Sequence, residues 1–249
     1  MPLLEIHNII KDFDGFHAID DLSMNVEEGE VRFLIGPNGA GKTTLIDVIS
    51  GLINPTSGEA TFDGTRITKT GEFDIVKLGI GRTFQNPTVF DDLTVHENVD
   101  LAASFRMKLL SLFRQRRGMS DAVADALKTV DLFDHAERKA GELSHGQKQW
   151  LEIAMLLAQD PRMLLLDEPV AGMSKEERTR TGELVTEIAK TRTVLIVEHD
   201  MDFVRRFSSF VTVMHEGKIL TEGSIEDVQG DPEVQEVYLG RSKEEAEVA

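Results

Sequence analysis

Residues 31–43 read Val-Arg-Phe-Leu-Ile-Gly-Pro-Asn-Gly-Ala-Gly-Lys-Thr, and this stretch decides the fold. Val31–Ile35 is an apolar run interrupted only by Arg32, the pattern of a parallel strand buried on both faces. Gly36, Pro37, Asn38, Gly39, Ala40, Gly41, Lys42 and Thr43 then spell G-x-x-x-x-G-K-[ST]. A helical stretch follows from Lys42 to Ser50 and stops at Gly51. Strand, glycine-rich loop and helix in that order form a phosphate-binding loop. Glycines let backbone N–H groups turn inward around phosphate oxygens. Lys42 supplies a point charge to the β- and γ-phosphates, Thr43 offers a hydroxyl to Mg²⁺, and Thr44 continues the loop into the helix. The helix N-terminus adds its partial positive charge. The reading is a nucleotide site; its bland rival is a glycine-rich turn that spells the motif by accident.

Strand–helix alternation extends outward from this loop. Leu3–Ile9 and Ala18–Val26 precede it as short strands. Asp63-Gly64 reads as a hairpin turn between Ala60–Phe62 and Arg66–Ile67. Between about Thr94 and Asp160 the pattern is helical, with Ala122, Val123, Ala126, Leu127 and Val130 on one face, and Trp150, Leu151, Ala154, Leu157 and Ala158 on another. Strands return at Met163–Leu166 and Thr193–Val197, with a Lys175–Lys190 helix between them. Phe210–Met214 and Lys218–Thr221 flank Glu216-Gly217 as a last hairpin. The expected class is α/β: a mainly parallel sheet with helices on both faces and a helical insertion.

Met163–Leu166 ends in Asp167-Glu168. Carboxyl ends of parallel strands are where α/β sites form. Asp167 would hold Mg²⁺, and Glu168 would polarise an attacking water as general base or positioner. A solvated acidic loop is the alternative, and an acidic chain makes it common. The chain of 249 residues is acidic: 44 Asp and Glu against 27 Lys and Arg give a formal net charge of −17. That balance argues against a nucleic-acid partner and against attachment to anionic lipid by charge. The absence of cysteine removes disulfides, thiolate nucleophiles and cysteine zinc sites. The N-terminus lacks the basic-then-apolar pattern of a signal peptide, and the apolar runs have strand length, so the chain is expected not to span a membrane.

Further residues carry a resemblance. Leu143-Ser144-His145-Gly146-Gln147 is similar to the L-S-G-G-Q signature of ABC transporter ATP-binding subunits, and stands about 20 residues before Asp167-Glu168 as it does there. Gln85 in Gly81-Arg82-Thr83-Phe84-Gln85 resembles the Q-loop glutamine, and His199 in Ile196-Val197-Glu198-His199-Asp200 the switch histidine. Phe13 falls where the family has an adenine-stacking aromatic, with Phe16 as competitor, and Ala171–Ser174 falls at the D-loop. The resemblance covers nearly the whole chain. It implies a P-loop ABC ATPase cassette over residues 1–240, with a mainly parallel core sheet, an antiparallel β subdomain and a helical subdomain at about 86–160. A C-terminal extension of branched-chain amino-acid importer type would occupy 225–249.

The resemblance also implies roles. ATP and Mg²⁺ would be the cofactors, with Thr43, Gln85 and Asp167 toward the metal and Glu168, His199 and Gln85 in catalysis. Ser144, His145, Gly146 and Gln147 would face ATP held by a second subunit, which completes the γ-phosphate shell when the pair closes. Each residue has a plainer reading: Ser144 as a helix N-cap, Gln85 as a surface amide, His199 as a core or rim histidine, Phe13 as core. Two departures stand out. His145 replaces a signature glycine, and its side chain is expected to face outward. Ser174 replaces the aspartate many relatives carry in the D-loop, hinting at a mixed pair.

The implied partners are a second ABC subunit (a heterodimer in the complex, with a homodimer possible in isolation), two integral membrane permeases, a periplasmic binding protein indirectly, and no nucleic acid. The implied place is the cytoplasmic face of the inner membrane, peripherally, through the permeases. Asn86–Phe90 would be an apolar docking edge or a packed loop. Phe84–Phe90, Leu143–Pro161, Glu168–Met173 and Gly230–Gly240 are similar to the urea-type branch of branched-chain amino-acid importers, with an amino-acid importer as the alternative. A soluble ABC ATPase and a P-loop small-molecule kinase are rivals that fit the signature, single cassette and charge less well.

Overall fold

The computed structural model describes residues 2–84, 87–106 and 119–237. Gln85, Asn86 and the Tyr238–Gly240 segment lie outside the described residues. Ten strands are described: β1 (Leu4–Phe13), β2 (Phe16–Val26), β3 (Val31–Ile35), β4 (Ser57–Phe62), β5 (Thr65–Arg66), β6 (Ile80–Arg82), β7 (Met163–Asp167), β8 (Thr193–Val197), β9 (Phe210–His215) and β10 (Lys218–Gly223). The helices are α1 (Lys42–Ile49), α2 (Glu72–Leu78), α3 (Val95–Ala103), α4 (Asp121–Thr129), α5 (His145–Leu157), α6 (Lys175–Ala189), α7 (Met201–Phe207) and α8 (Ile225–Gly230).

Among the described residues the strands form two sheets. The six-stranded sheet runs β10-β9-β3-β8-β7-β6; it is parallel from β9 to β6, and β10 is antiparallel. The four-stranded sheet, β2-β1-β4-β5, is antiparallel. Two expected hairpin turns form as read: Asp63-Gly64 and Glu216-Gly217 all have positive φ, as a two-residue turn of this kind requires. A third turn of the same kind, Asp14-Gly15, joins β1 to β2, so β1 runs four residues beyond the expected Ile9.

Strand periodicity explains two cores. Side chains alternate across a strand, so successive residues of β3, β7 and β8 go to opposite faces. Phe33, Ile35, Leu164, Leu166, Val194 and Ile196 join one core with residues of α3–α7. Leu34, Met163, Leu165, Leu195 and Val197 join the other with Leu45, Ile46 and Ile49 of α1 and residues of β1, β2 and β4. All eleven of those strand residues are buried. Helices therefore dominate one face, while the other is shared by α1, α2 and the antiparallel sheet. Helices thus lie on both faces as expected, and the N-terminal strands add a covering layer on one of them, the antiparallel β subdomain that the resemblance implies. Helices α3, α4 and α5 rest on one another within the stretch read as helical.

Candidate functional site: the C-terminal edge of the parallel sheet

Strand order builds the site. β3, β8 and β7 are parallel neighbours, so the loops leaving their C-terminal ends lie side by side. The loop after β3 is Gly36–Gly41, the end of β7 carries Asp167 and Glu168, and β8 leads to His199. Residues far apart in sequence thus meet at one edge, as the expected α/β site requires.

The phosphate-loop geometry is enforced from outside. Gly36 has φ 151°, and a Cβ there would fall 2.2 Å from the Met214 carbonyl oxygen. Gly41 has φ 100°, and its Cβ would meet the Ala18 carbonyl oxygen at 2.3 Å. Only glycine fits either position. Gly41 also caps α1 with no side-chain hydrogen bond, which leaves the first-turn N–H groups of the helix without a side-chain acceptor. Lys42 is buried and folded over the loop; its Nζ donates to the carbonyls of Gly36 (2.7 Å) and Pro37 (3.0 Å). Burial lowers its pKa, while Glu168 and Asp167 act in the opposite sense. Thr43 is exposed and Thr44 half-buried.

The acidic pair is divided by environment. Asp167 is buried at the end of β7, and burial raises its pKa against the nearby Arg82 guanidinium, 3.5 Å away. Arg82 also donates to Asp47 of α1 and to Ser50, so it ties β6, α1 and β7. Glu168 adopts φ 51°, a left-handed conformation uncommon outside glycine, and its N–H donates to the Val197 carbonyl (2.9 Å). Its carboxylate lies 3.5 Å from His199 Nδ1, and the His199 side chain is 64% exposed. His199 is therefore a rim histidine in contact with Glu168, not a core one.

The remaining expected residues fall elsewhere. Ser144 caps α5: its hydroxyl accepts from Gln147 N–H, and the Gln147 side chain accepts from Ser144 N–H. The Ser144 hydroxyl also donates to Glu177 of α6 at 3.2 Å, and Gly146 is held tight against that carboxylate. His145 is exposed, with its ring beside Gly172. Ser174 caps α6 with Glu177 as its reciprocal partner. Phe13 is 46% and Phe16 64% exposed, facing each other across the Asp14-Gly15 turn. Both belong to the hairpin whose Ala18 touches Gly41, and the core reading of Phe13 is excluded. Phe90 is exposed, and its backbone is pinned by the fully buried Asn98 through both its N–H and its carbonyl.

Three carboxylates escaped the sequence reading. Glu198 is 1% exposed and accepts three backbone N–H groups; burial raises its pKa and those donors oppose the rise. Glu152 of α5 accepts from Phe84 N–H (3.4 Å) and Thr88 N–H (3.3 Å), and burial pushes its carboxyl up to about 7. Glu177 joins the two helix caps above. The only sequence signal available was an acid within an otherwise apolar helix face or beside an apolar strand.

Comparison with known proteins agrees with this geometry. Residues 19–171 match the family model described as ABC transporter. The high-affinity branched-chain amino acid transport ATP-binding protein BraF of Pseudomonas aeruginosa is 37% identical, over 97% of this chain and 99% of the relative. The ADP conformation of an ATP-binding cassette of an ABC transporter superposes with TM-score 0.85 at 36% identity, covering 96% of this chain and 99% of that one. A dimeric ATP-binding cassette bound to ADP and Pi gives TM-score 0.74 at 26% identity, over 89% of this chain and 98% of the other. ABC cassettes pair and work with membrane permease components, and among the described residues no helix here is long and apolar enough to cross a membrane. This chain belongs to the ABC transporter family, as an ATP-hydrolysing subunit homologous to the branched-chain amino-acid transport ATP-binding proteins.

Proposed function

We propose that this chain powers an importer for branched-chain amino acids, binding ATP on Gly36–Thr44 and hydrolysing it with Glu168 and His199. The observation that carries the catalytic assignment is the 3.5 Å approach of Glu168 to His199 beside the Lys42 loop. Lys42 leaves its carbonyl partners for the β- and γ-phosphates, and the uncapped start of α1 faces the same anion. Glu168 orients or deprotonates the attacking water, and His199 contacts the γ-phosphate. Phe13 stacks on adenine, with Phe16 as its competitor. Thr43 and Asp167 present oxygen donors only, which suits Mg²⁺, an ion that keeps several waters and shares phosphate oxygens. When bound, Mg²⁺ neutralises charge on the phosphates. Gln85 belongs to the same set but lies outside the described residues.

The solute assignment rests on kinship over nearly the full length of both chains. It replaces the urea reading, which the reported relatives do not support. A second ABC subunit, different in the complex and identical when the chain stands alone, supplies a signature helix to the ATP held here. Ser144–Gln147 serve the partner's ATP in return. Two permeases, met through the edge around Phe90, place the cassette peripherally on the cytoplasmic membrane face, and a periplasmic binding protein delivers the solute. Residues 1–240 form the cassette, about 86–160 its helical subdomain and 225–249 the extension.

Glu168→Gln should bind ATP and hydrolyse it at least about 100-fold more slowly. Near-native turnover would refute the role of Glu168. Lys42→Ala should lose ATP affinity, and an unchanged calorimetric titration would refute the loop assignment. Uptake of labelled leucine and labelled urea by vesicles holding the whole transporter separates the two solutes.

A further inference from the structure

Glu198 lies between the two residues assigned to catalysis. It follows β8, is 1% exposed, and precedes His199. Its two carboxylate oxygens point to different segments. Oε1 accepts from Val170 N–H at 3.2 Å, on the chain that leaves Glu168. Oε2 accepts from His199 N–H at 3.1 Å and Asp200 N–H at 3.3 Å. Its own N–H donates to the carbonyl of Leu34 at 3.3 Å, on the strand that enters the phosphate loop. One side chain therefore spans the exits of β7 and β8, and the backbone of the same residue is anchored to β3. Glu168 itself is held on the other side by Val197. Two short ties, the Val197 carbonyl on Glu168 N–H and the Glu198 carboxylate on Val170 N–H, bracket the gap across which Glu168 and His199 meet.

We propose that Glu198 is a positioning residue for ATP hydrolysis: its carboxylate holds the Val170 segment and the His199 segment in register, and so fixes the Glu168–His199 contact. The inference rests on the roles given above to Glu168 and His199. The chemistry of the strut is specific. A carboxylate offers acceptors at both oxygens, whereas an amide offers one acceptor and one NH₂ donor. Whichever way a glutamine turned here, its NH₂ would confront a backbone N–H, and one of the two segments would lose its tie. Val170 continues into Ala171–Ser174, so a partner subunit that moves this segment moves His199 through the same carboxylate.

The test measures ATP turnover, ATP affinity and Tm of the full chain for the native protein, Glu168→Gln, Glu198→Gln and the double variant. Misplacement of catalytic groups by about an ångström costs up to about 100-fold, so Glu198→Gln should lower kcat about 10- to 100-fold with ATP affinity unchanged. It should add nothing to the slow single-turnover rate of Glu168→Gln, because it acts through that carboxylate. A near-native kcat in Glu198→Gln beside a slow Glu168→Gln overturns the inference and leaves the site reading intact. Equal losses in both backgrounds, or a loss of ATP affinity that follows a fall in Tm, make Glu198 merely structural and also overturn it. Near-native turnover in Glu168→Gln removes the role on which the inference rests, and both fall. Should Glu198→Gln not fold, Glu198→Asp takes its place; it keeps the charge but shortens the reach, and the same outcomes decide.

Discussion

Glu152 is one residue whose protonation the fold shifts. It sits on α5 and holds the backbone on either side of the Q-loop position, with its carboxyl pushed up to about 7 by burial. In the unfolded chain it titrates near 4.5. Between those values the folded protein keeps a proton that the unfolded chain has released. Stability is therefore greatest on this account below about pH 4.5 and declines as pH rises to about 7, by up to about 3 kcal/mol. Glu152→Gln should flatten the decline, gaining on the native protein above about pH 7. Urea unfolding of both proteins across that range checks it, and parallel curves would refute it. Gly36 gives a second case. Gly36→Ala would push a methyl group onto the Met214 carbonyl, and should lower stability by about 1–3 kcal/mol and abolish ATP binding, read by denaturant unfolding and calorimetry. The motif marked Gly36 in the sequence because glycine spacing is local. Its reason, a carbonyl on β9, is not local. Glu198 and Glu152 were illegible for the same cause: their partners are backbone N–H groups, which no side-chain pattern announces.

Helix caps explain why one departure from the family pattern is tolerable. Ser144 and Ser174 each begin a helix and each share a capping box with the residue three places on. The element needs a short oxygen-bearing side chain at residue 174, and serine and aspartate cap about equally well. Ser174→Asp should leave stability within about 0.5 kcal/mol, while Ser174→Ala should cost about 0.5–2 kcal/mol in denaturant unfolding. A large loss with aspartate would show that residue 174 does more in the isolated chain than start α6. Most elements were legible, because β3, β7 and β8 are short apolar runs and α4 and α5 carry strong helical periodicity. Arg32 was legible only as an interruption. It is buried between Glu30 and Glu222, both at 2.7 Å, and lies on the ring of Phe210. Its second acid is 190 positions away, on the edge strand β10. The β1–β2 hairpin was missed because register shifts between Ile6 and Asp12 break the two-residue alternation that would have led into Asp14-Gly15.

At the scale of the molecule, charge and topology act together. Strand order, invisible in the sequence, converts three separate motifs into one edge; the motifs name the residues, and only the sheet shows which of them meet. The net charge of −17 is carried around a site that must accept a nucleotide. Two such chains brought together on ATP repel over distances comparable to the Debye length, about 10 Å at 0.1 M salt. ATP-bound Glu168→Gln should therefore self-associate more strongly as salt rises from about 0.05 to 0.5 M, measured by sedimentation. Weaker association at high salt would mean that local ion pairs dominate the interface.

The two glycines that bracket the phosphate loop carry one more implication. Their space is limited by Met214 on the main sheet and by Ala18 on the antiparallel sheet. The loop is shaped by a mould with two halves, one from each sheet, that its own eight residues do not encode. Grafted onto another strand and helix, those residues would carry the spelling of the motif without its form. A transplant would succeed only if both halves of the mould travelled with it.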